Sequence, residues 1–337
     1  PCPSSAISSL LASASPTTRP APAGARTGSG VTTRASRPEP PNRGTVSRRG
    51  GGAAEDQDHD PVVIGGLGGS GTRVVADALL DVGVDLGRPL NGAQDNLLFT
   101  AMFKRPRWFA RAAEVEVADH LDTFVRVHRG RALRAVDRAR LARCVVDHDP
   151  TVGLRESARR VRAARARPDA PGPYGPPRWG WKEPNTHLYL PHLIDAFAGL
   201  RYVYVARHGL DMACNANTTQ LRLFGAQFGV PFPVDRPEAV AGAQLRFWIA
   251  MTERAVELGR ALGDRFLFVR FDDVCRAPEA ELRRLLAFVG LAPSPTTFPA
   301  RLAAIATPAS TGRWRERSDL AVTPEQRDAI RAFGFDL

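Results

Sequence analysis

Gly66-Leu67-Gly68-Gly69-Ser70-Gly71-Thr72-Arg73 decides how this chain folds. It lies between a β-branched run, Val62-Val63-Ile64, and apolar residues that recur at helical spacing, Val74, Val75, Ala78, Leu79 and Val82. The order is strand, glycine loop, helix. Glycines let backbone N–H groups turn toward an anion, and the helix N-terminus adds its partial positive charge. A phosphate-binding loop is the expected role.

Two familiar loops can be compared with it residue by residue. A nucleoside-triphosphatase loop requires Gly-x-x-x-x-Gly-Lys-Ser/Thr, and counting from Gly66 to Gly71 puts Thr72 where the lysine belongs. A dinucleotide fingerprint, Gly-x-Gly-x-x-Gly, is satisfied by Gly66, Gly68 and Gly71, with Asp85 about 20 residues on. With 30 glycines in 337 residues such a match arises easily by chance. Val82-Gly83-Val84-Asp85-Leu86 is also a poor second strand.

Length and composition set the frame. At 337 residues and 43% hydrophobic content the chain can bury a sizeable core. Residues 1–60 are rich in Ser, Ala, Pro, Thr, Gly and Arg, without an aromatic and without an acid before Glu39, and read as a disordered leader or an organelle transit peptide. Residues 61–337 read as one domain. The leader's seven arginines and five acids leave +9 of the formal +11 charge on residues 61–337. Much of that charge falls between Arg126 and Arg167, in a helical Ala/Arg-rich stretch without interleaved aromatics, so stacking platforms for nucleic acid are missing and a solvated helix face is expected. Cys2, Cys144, Cys214 and Cys275 form no Cys-x-x-Cys pair and no His cluster accompanies them, which indicates neither a metal site nor a disulfide framework. No run of 18 apolar residues reads as a membrane span. The expectation is an intracellular protein of cytoplasm or organelle stroma.

Beyond the glycine loop, Trp179-Gly180-Trp181-Lys182-Glu183-Pro184 reads as a short strand and Leu188 to Phe197 as a helix. Arg201 to Ala206 is a strand, Asp211 to Leu223 a helix, Glu238 to Leu262 a long helix, Phe266 to Phe271 a strand and Glu279 to Val289 a helix. Strands alternating with helices predict an α/β protein with a central, mainly parallel sheet flanked by helices.

Only two lysines, Lys104 and Lys182, stand against 44 arginines. Lys182 sits at a strand end beside Glu183, with His187 four residues on, and ligands of open α/β sheets gather at the carboxyl ends of strands. Glu183 and His187 are therefore candidate acid and base groups, with Asp95 a further carboxylate. Arg207 follows the next strand, ahead of His208-Gly209-Leu210-Asp211. Near the C-terminus Ser310-Thr311-Gly312-Arg313-Trp314-Arg315 places two arginines around an aromatic.

In this order the elements resemble the sulfotransferase family, particularly its single-domain bacterial-type members, over roughly residues 62–330. The resemblance implies a three-layer P-loop-like fold and 3′-phosphoadenosine-5′-phosphosulfate (PAPS) as sulfuryl donor, with no metal. It implies a 5′-phosphosulfate loop at Gly68, Gly69, Ser70, Gly71, Thr72 and Arg73, a Lys-x-Pro element at Lys182-Glu183-Pro184, a 3′-phosphate contact at Arg207, and a closing Gly-x-Trp-Arg element at Gly312, Arg313, Trp314 and Arg315. Two positions depart from the family pattern. Gly69 stands where many members carry a lysine, and Asn215 stands where a 3′-phosphate-binding serine is usual. The implied acceptor is a hydroxyl or amine on a small molecule or glycan, with the region from Gly87 to Arg178, Trp108 included, shaping its pocket. A nicotinamide-dependent oxidoreductase and a non-enzymatic nucleotide- or polyanion-binding protein are the competing readings.

Overall fold

The structure, a computed structural model, describes residues 60–148, 152–166 and 178–337. The expected leader, residues 1–60, lies outside them except for Asp60. Four parallel strands, β1 (Val62–Gly66), β2 (Gly180–Lys182), β3 (Arg201–Ala206) and β4 (Phe266–Arg270), pair in the order β2-β1-β3-β4. Side chains alternate across the sheet, as the period of two requires. Val63, Trp181, Tyr202 and Tyr204 face one apolar cluster, which also holds Trp248 and Met251 of the helix Val240–Gly259 and Phe99 and Phe124 of the helices Leu97–Phe103 and Glu114–His128. Val62, Ile64, Val203, Val205, Leu267 and Val269 face the other, against Val75 and Leu79 of the helix Thr72–Asp81 and Leu282 and Leu285 of the helix Pro278–Phe288. Helix, sheet and helix form three layers, the P-loop-like α/β architecture expected.

The place of Asp85 in the sheet tests the dinucleotide reading. In the dinucleotide fold the acidic residue about 20 positions after the glycine loop ends the strand directly beside β1. Here the neighbours of β1 are β2 and β3, and the segment around Asp85 forms only a single parallel bridge to Trp179, on the far side of β2. Asp85 Oδ1 is turned onto Gly87 N, not toward the loop. The sequence match to a dinucleotide fingerprint has no structural counterpart.

Helix boundaries differ from the periodicity where side chains compete with the backbone. The helix expected over Asp211 to Leu223 is two, Gly209–Ala213 and Thr219–Phe224. Between them Asn215 Oδ1 accepts from Asn217 N at 3.0 Å and Asn217 Oδ1 from Thr219 N at 3.2 Å, local bonds that replace a helical turn. Pro184 to Tyr189 wind as a 3₁₀ segment before the helix Leu190–Ala196 begins. The long helix is Val240–Gly259, with 3₁₀ turns at both ends. The Ala/Arg-rich region contains three helices, Glu114–His128, Ala135–Val146 and Leu154–Arg165. Several of its arginines meet acids within or between these helices, Arg134 on Asp137 and Asp122, Arg140 on Asp119 and Arg159 on Glu156. A solvated face was expected; its pairing with acids was not.

Gly71 has φ 91°, and a side chain there would strike the Phe271 ring. Gly71→Ala is expected to cost roughly 1–3 kcal/mol from backbone strain alone, before any cost of moving Phe271. A melting curve matching that of the wild type would contradict the loop geometry.

Candidate active site

The sheet order makes β1 the switch point, because the chain leaves it toward β2 on one side and returns to β3 on the other. The crevice beyond the C-terminal ends of these strands is where such sheets bind ligands. A cleft of about 420 Å³ occupies it, lined by the glycine loop, Lys182, Glu183 and Arg207 together with Asp95, Lys104, Asn185, Asn217 and Gln220.

The loop takes its shape from glycine. Gly69 (φ 94°) and Gly71 (φ 91°) lie in the left-handed region, and Gly71 directly precedes the helix Thr72–Asp81. A Gly68 side chain would come within 2.9 Å of Asn217 Nδ2, and one at Gly69 would collide with Asn215 Nδ2. Gly68, Gly69, Gly71, Thr72 and the exposed Arg73 line the cleft. Ser70 is 1% exposed, and its hydroxyl lies 3.0 Å from where a Gly66 side chain would begin, behind the loop. Asn215 stands against the outside of the loop, so its amide is a neighbour of Gly69 and not a lining group of the cleft.

Four cations converge on this cleft: Arg73, Lys104, Lys182 and Arg207. Both lysines of the chain are among them. Lys182, 2% exposed at the end of β2, donates from Nζ to Asp95 Oδ1 (2.5 Å) and to the Ala93 carbonyl (2.9 Å). Its burial excludes a surface Lys-Glu pair. Arg207 Nη2 donates to the hydroxyls of Ser310 (3.0 Å) and Thr311 (3.3 Å) and lies 3.6 Å from Asp211 Oδ2. Its buried Nε has no acceptor among the described residues.

Glu183 is 3% exposed at the cleft wall, its oxygens accepting from Asn185 N (2.7 Å) and Asn185 Nδ2 (2.8 Å). Burial, with the nearby Asp95 carboxylate adding to it, pushes the Glu183 carboxyl up to about 7. His187 is placed elsewhere. The 3₁₀ winding turns it inward, where it is fully buried and holds the Pro184 carbonyl through Nδ1 at 2.7 Å, outside the cleft lining. Burial lowers its imidazole to about 4, which keeps it neutral.

Gly312, Trp314 and Arg315 line a second cavity, of about 460 Å³, beyond the Arg207–Asp211 pair, with His208, Arg270, Asp272 and Arg276. Gly312 N donates to both oxygens of Asp211 (3.0 and 2.9 Å), Arg313 Nη2 donates to the Asp211 carbonyl, and Trp314 stacks on His208 at 5.3 Å. This segment braces Arg207 from behind. Of the region expected to shape an acceptor pocket, Ala93, Asp95 and Lys104 reach the cleft, whereas Trp108 packs against Arg105, His120 and Tyr189.

Asn185, Gln220, Asn217 and Lys104 escaped the reading of the sequence. The rarity of lysine was the available signal for Lys104. The amides carried none, since they meet the site only through the fold. Among the described residues no group of three or more His, Cys, Asp or Glu could hold a metal ion, and no helix is long and apolar enough to cross a membrane.

Comparison with known proteins places this geometry in context. A profile described as the sulfotransferase family matches residues 61–295. Among solved structures, the chain is similar to the sulfotransferase domain of the Synechococcus PCC 7002 olefin synthase, with 16% identity over 84% of this chain and 98% of that one and a TM-score of 0.43. It is similar also to the sulfotransferase domain from the curacin biosynthetic pathway, with 14% identity, 81% and 95% coverage and a TM-score of 0.42. A third is the sulfotransferase STF1 from Mycobacterium tuberculosis H37Rv, with 14% identity, 82% and 76% coverage and a TM-score of 0.39. No curated protein matches the chain.

Proposed function

Because the chain belongs to the sulfotransferase family, we propose that it transfers the sulfuryl group of PAPS to a hydroxyl or amine of a small molecule or glycan, and that residues 61–337 are the domain that does so. One observation carries the reading: Arg73, Lys104, Lys182 and Arg207 line one cleft with the glycine loop, beside a buried carboxyl whose proton affinity is raised to about 7. A donor with phosphates at both ends of a nucleoside suits such a cleft. The unpartnered Arg207 Nε and the glycine cradle at Gly68 and Gly69 are features an anionic ligand would use.

The donor supplies an activated sulfur whose leaving group is a phosphate. The chain's residues position the reactants and meet charge, as in phosphoryl transfer. Backbone N–H groups from Gly68 to Thr72, with Arg73, hold the 5′ end. Arg207, held by Asp211, Ser310 and Thr311, takes the 3′-phosphate, and Gly312 and Arg313 brace it through Asp211. Asn215, at the position of the usual serine, backs Gly69 instead of lining the cleft, so Arg207 makes the 3′ contact without it. Lys182 Nζ faces the charge that grows on the bridging oxygen. Glu183 Oε1 or Oε2 takes the proton of the attacking hydroxyl or amine.

Adenosine 3′,5′-bisphosphate at about 100 times its dissociation constant is expected to stabilise the folded protein by about 2.7 kcal/mol, through binding to the folded state alone. Thermal melting with the bisphosphate and with NADH checks this. A rise with NADH and none with the bisphosphate would overturn the proposal.

A further inference from the structure

Hydrogen bonds run in one direction from the glycine loop to Glu183. Gly68 N donates to Gln220 Oε1 (2.5 Å), Gln220 Nε2 donates to Asn185 Oδ1 (3.0 Å), and Asn185 Nδ2 donates to Glu183 Oε1 (2.8 Å). The backbone N of Asn185 closes the chain on Oε2 at 2.7 Å. The partners come from the residue after β2, the 3₁₀ segment, the helix Thr219–Phe224 and the loop after β1.

A primary amide donates at one end and accepts at the other, so each bond in such a chain dictates the next. A backbone N–H has no such choice. Gly68 therefore turns the Gln220 carbonyl toward the loop, which turns the Gln220 NH₂ toward Asn185 and the Asn185 NH₂ toward Glu183. Both Glu183 oxygens then face donors, and a proton on either would meet an N–H.

We propose that Gln220 is a positioning residue: it carries the fixed polarity of Gly68 N–H through Asn185 to hold Glu183 as an acceptor, and so makes the proton affinity of Glu183 depend on what occupies the glycine loop. An anion that takes the Gly68 N–H frees Gln220 and Asn185 to reverse. Asn185 Oδ1 then faces Glu183 and accepts from the O–H formed when the carboxylate takes a proton. Glu183 becomes a competent proton acceptor when the loop is filled. Other charged and titratable groups surround Glu183 as well: Asp95 and Lys104 from the segments before and after the helix Leu97–Phe103, Lys182 next to it in the chain at the end of β2, and the buried Tyr189 and Tyr202. Asp95 favours the protonated carboxyl and Lys104 the ionised one. Among the described contacts, only the amide chain joins Glu183 to the loop.

The catalytic meaning of this relay rests on Glu183 as the base, but its test does not. The Glu183 carboxyl carbon, labelled with ¹³C and assigned by its loss in Glu183→Gln, is titrated by NMR in the full-length protein without ligand. Gln220→Glu still accepts from Gly68 but offers Asn185 no donor, so Asn185 must reverse. The midpoint of Glu183 is expected to rise by about one pH unit or more, the scale of one hydrogen bond to a charged group. Gln220→Leu cuts the chain without imposing a direction, and a smaller rise is expected. If Gln220→Glu fails to fold, the leucine variant decides alone. Adenosine 3′,5′-bisphosphate should raise the midpoint more in the wild type than in Gln220→Leu. Midpoints unchanged in the variants, or equal rises with the bisphosphate, would overturn the relay even in an active sulfotransferase. A shifted midpoint supports it even if activity later excludes Glu183 as the base.

Discussion

Lys182→Ala is expected to lower kcat by about 10²- to 10³-fold, corresponding to the roughly 2.7–4 kcal/mol that a group stabilising developing charge contributes, while binding of adenosine 3′,5′-bisphosphate changes far less. The split follows from the timing of the charge. The bridging oxygen becomes strongly negative only as the sulfuryl group departs, so a cation aimed at it acts mainly on the transition state. Lys182 is placed for this. It is 2% exposed, it ends β2 at the cleft, and Asp95 Oδ1 and the Ala93 carbonyl fix its Nζ. Its loss leaves Asp95 without a cation, but Asn91 Nδ2 still donates to that carboxylate, which is 19% exposed and reaches solvent, so a folded variant is expected. A surface ion pair would change the rate by no more than about 0.5 kcal/mol. Full activity in the variant would remove Lys182 from the chemistry.

Glu183→Gln is expected to lower kcat by about 10²- to 10⁴-fold, the usual contribution of a positioned base. The amide cannot take a proton, and its NH₂ would face the donors of Asn185. The wild-type pH profile should carry the same signature. A base must be ionised to work, and burial together with Asp95 holds this carboxyl at about 7, so kcat/KM should rise with pH through about 7 and level off above it. The variant's residual activity should lack that limb. If the limb survives in Glu183→Gln, another group is the base.

How much of this was legible in the sequence follows from how locally each feature is encoded. The glycine loop between a β-branched strand and an amphipathic helix is contiguous, strands β3 and β4 fall within a residue of where alternation and β-branching put them, and β1 runs two residues past Ile64, into the glycine loop. Strand order was not legible. It emerged from pairing, and it is pairing that separates this loop from a dinucleotide site, since the match at Gly66, Gly68 and Gly71 is literal. His187 lies away from the cleft for a definite reason. Spacing of four residues assumes an α-helical turn, whereas Pro184 opens a 3₁₀ turn that rotates His187 into the core. The contacts of the Gly312 to Arg315 element were not legible, because the Trp314–His208 stack and the Asp211 bonds depend on residues about 100 positions away. The same holds for Gln220 and Gly68, which meet across 152 positions. No local pattern announces such pairs.

The central claim is that this cleft binds a nucleotide carrying phosphates at both its 3′ and 5′ positions, with Arg207 reading the 3′ end. Calorimetric titration of the protein and of Arg207→Ala with adenosine 3′,5′-bisphosphate and with adenosine 5′-monophosphate measures it directly. The account predicts a single site on the wild type that prefers the bisphosphate, and loss of most of that preference in Arg207→Ala, since a charge-assisted contact to phosphate disappears. Equal affinity of the wild type for both nucleotides, or an unchanged preference without Arg207, would contradict it.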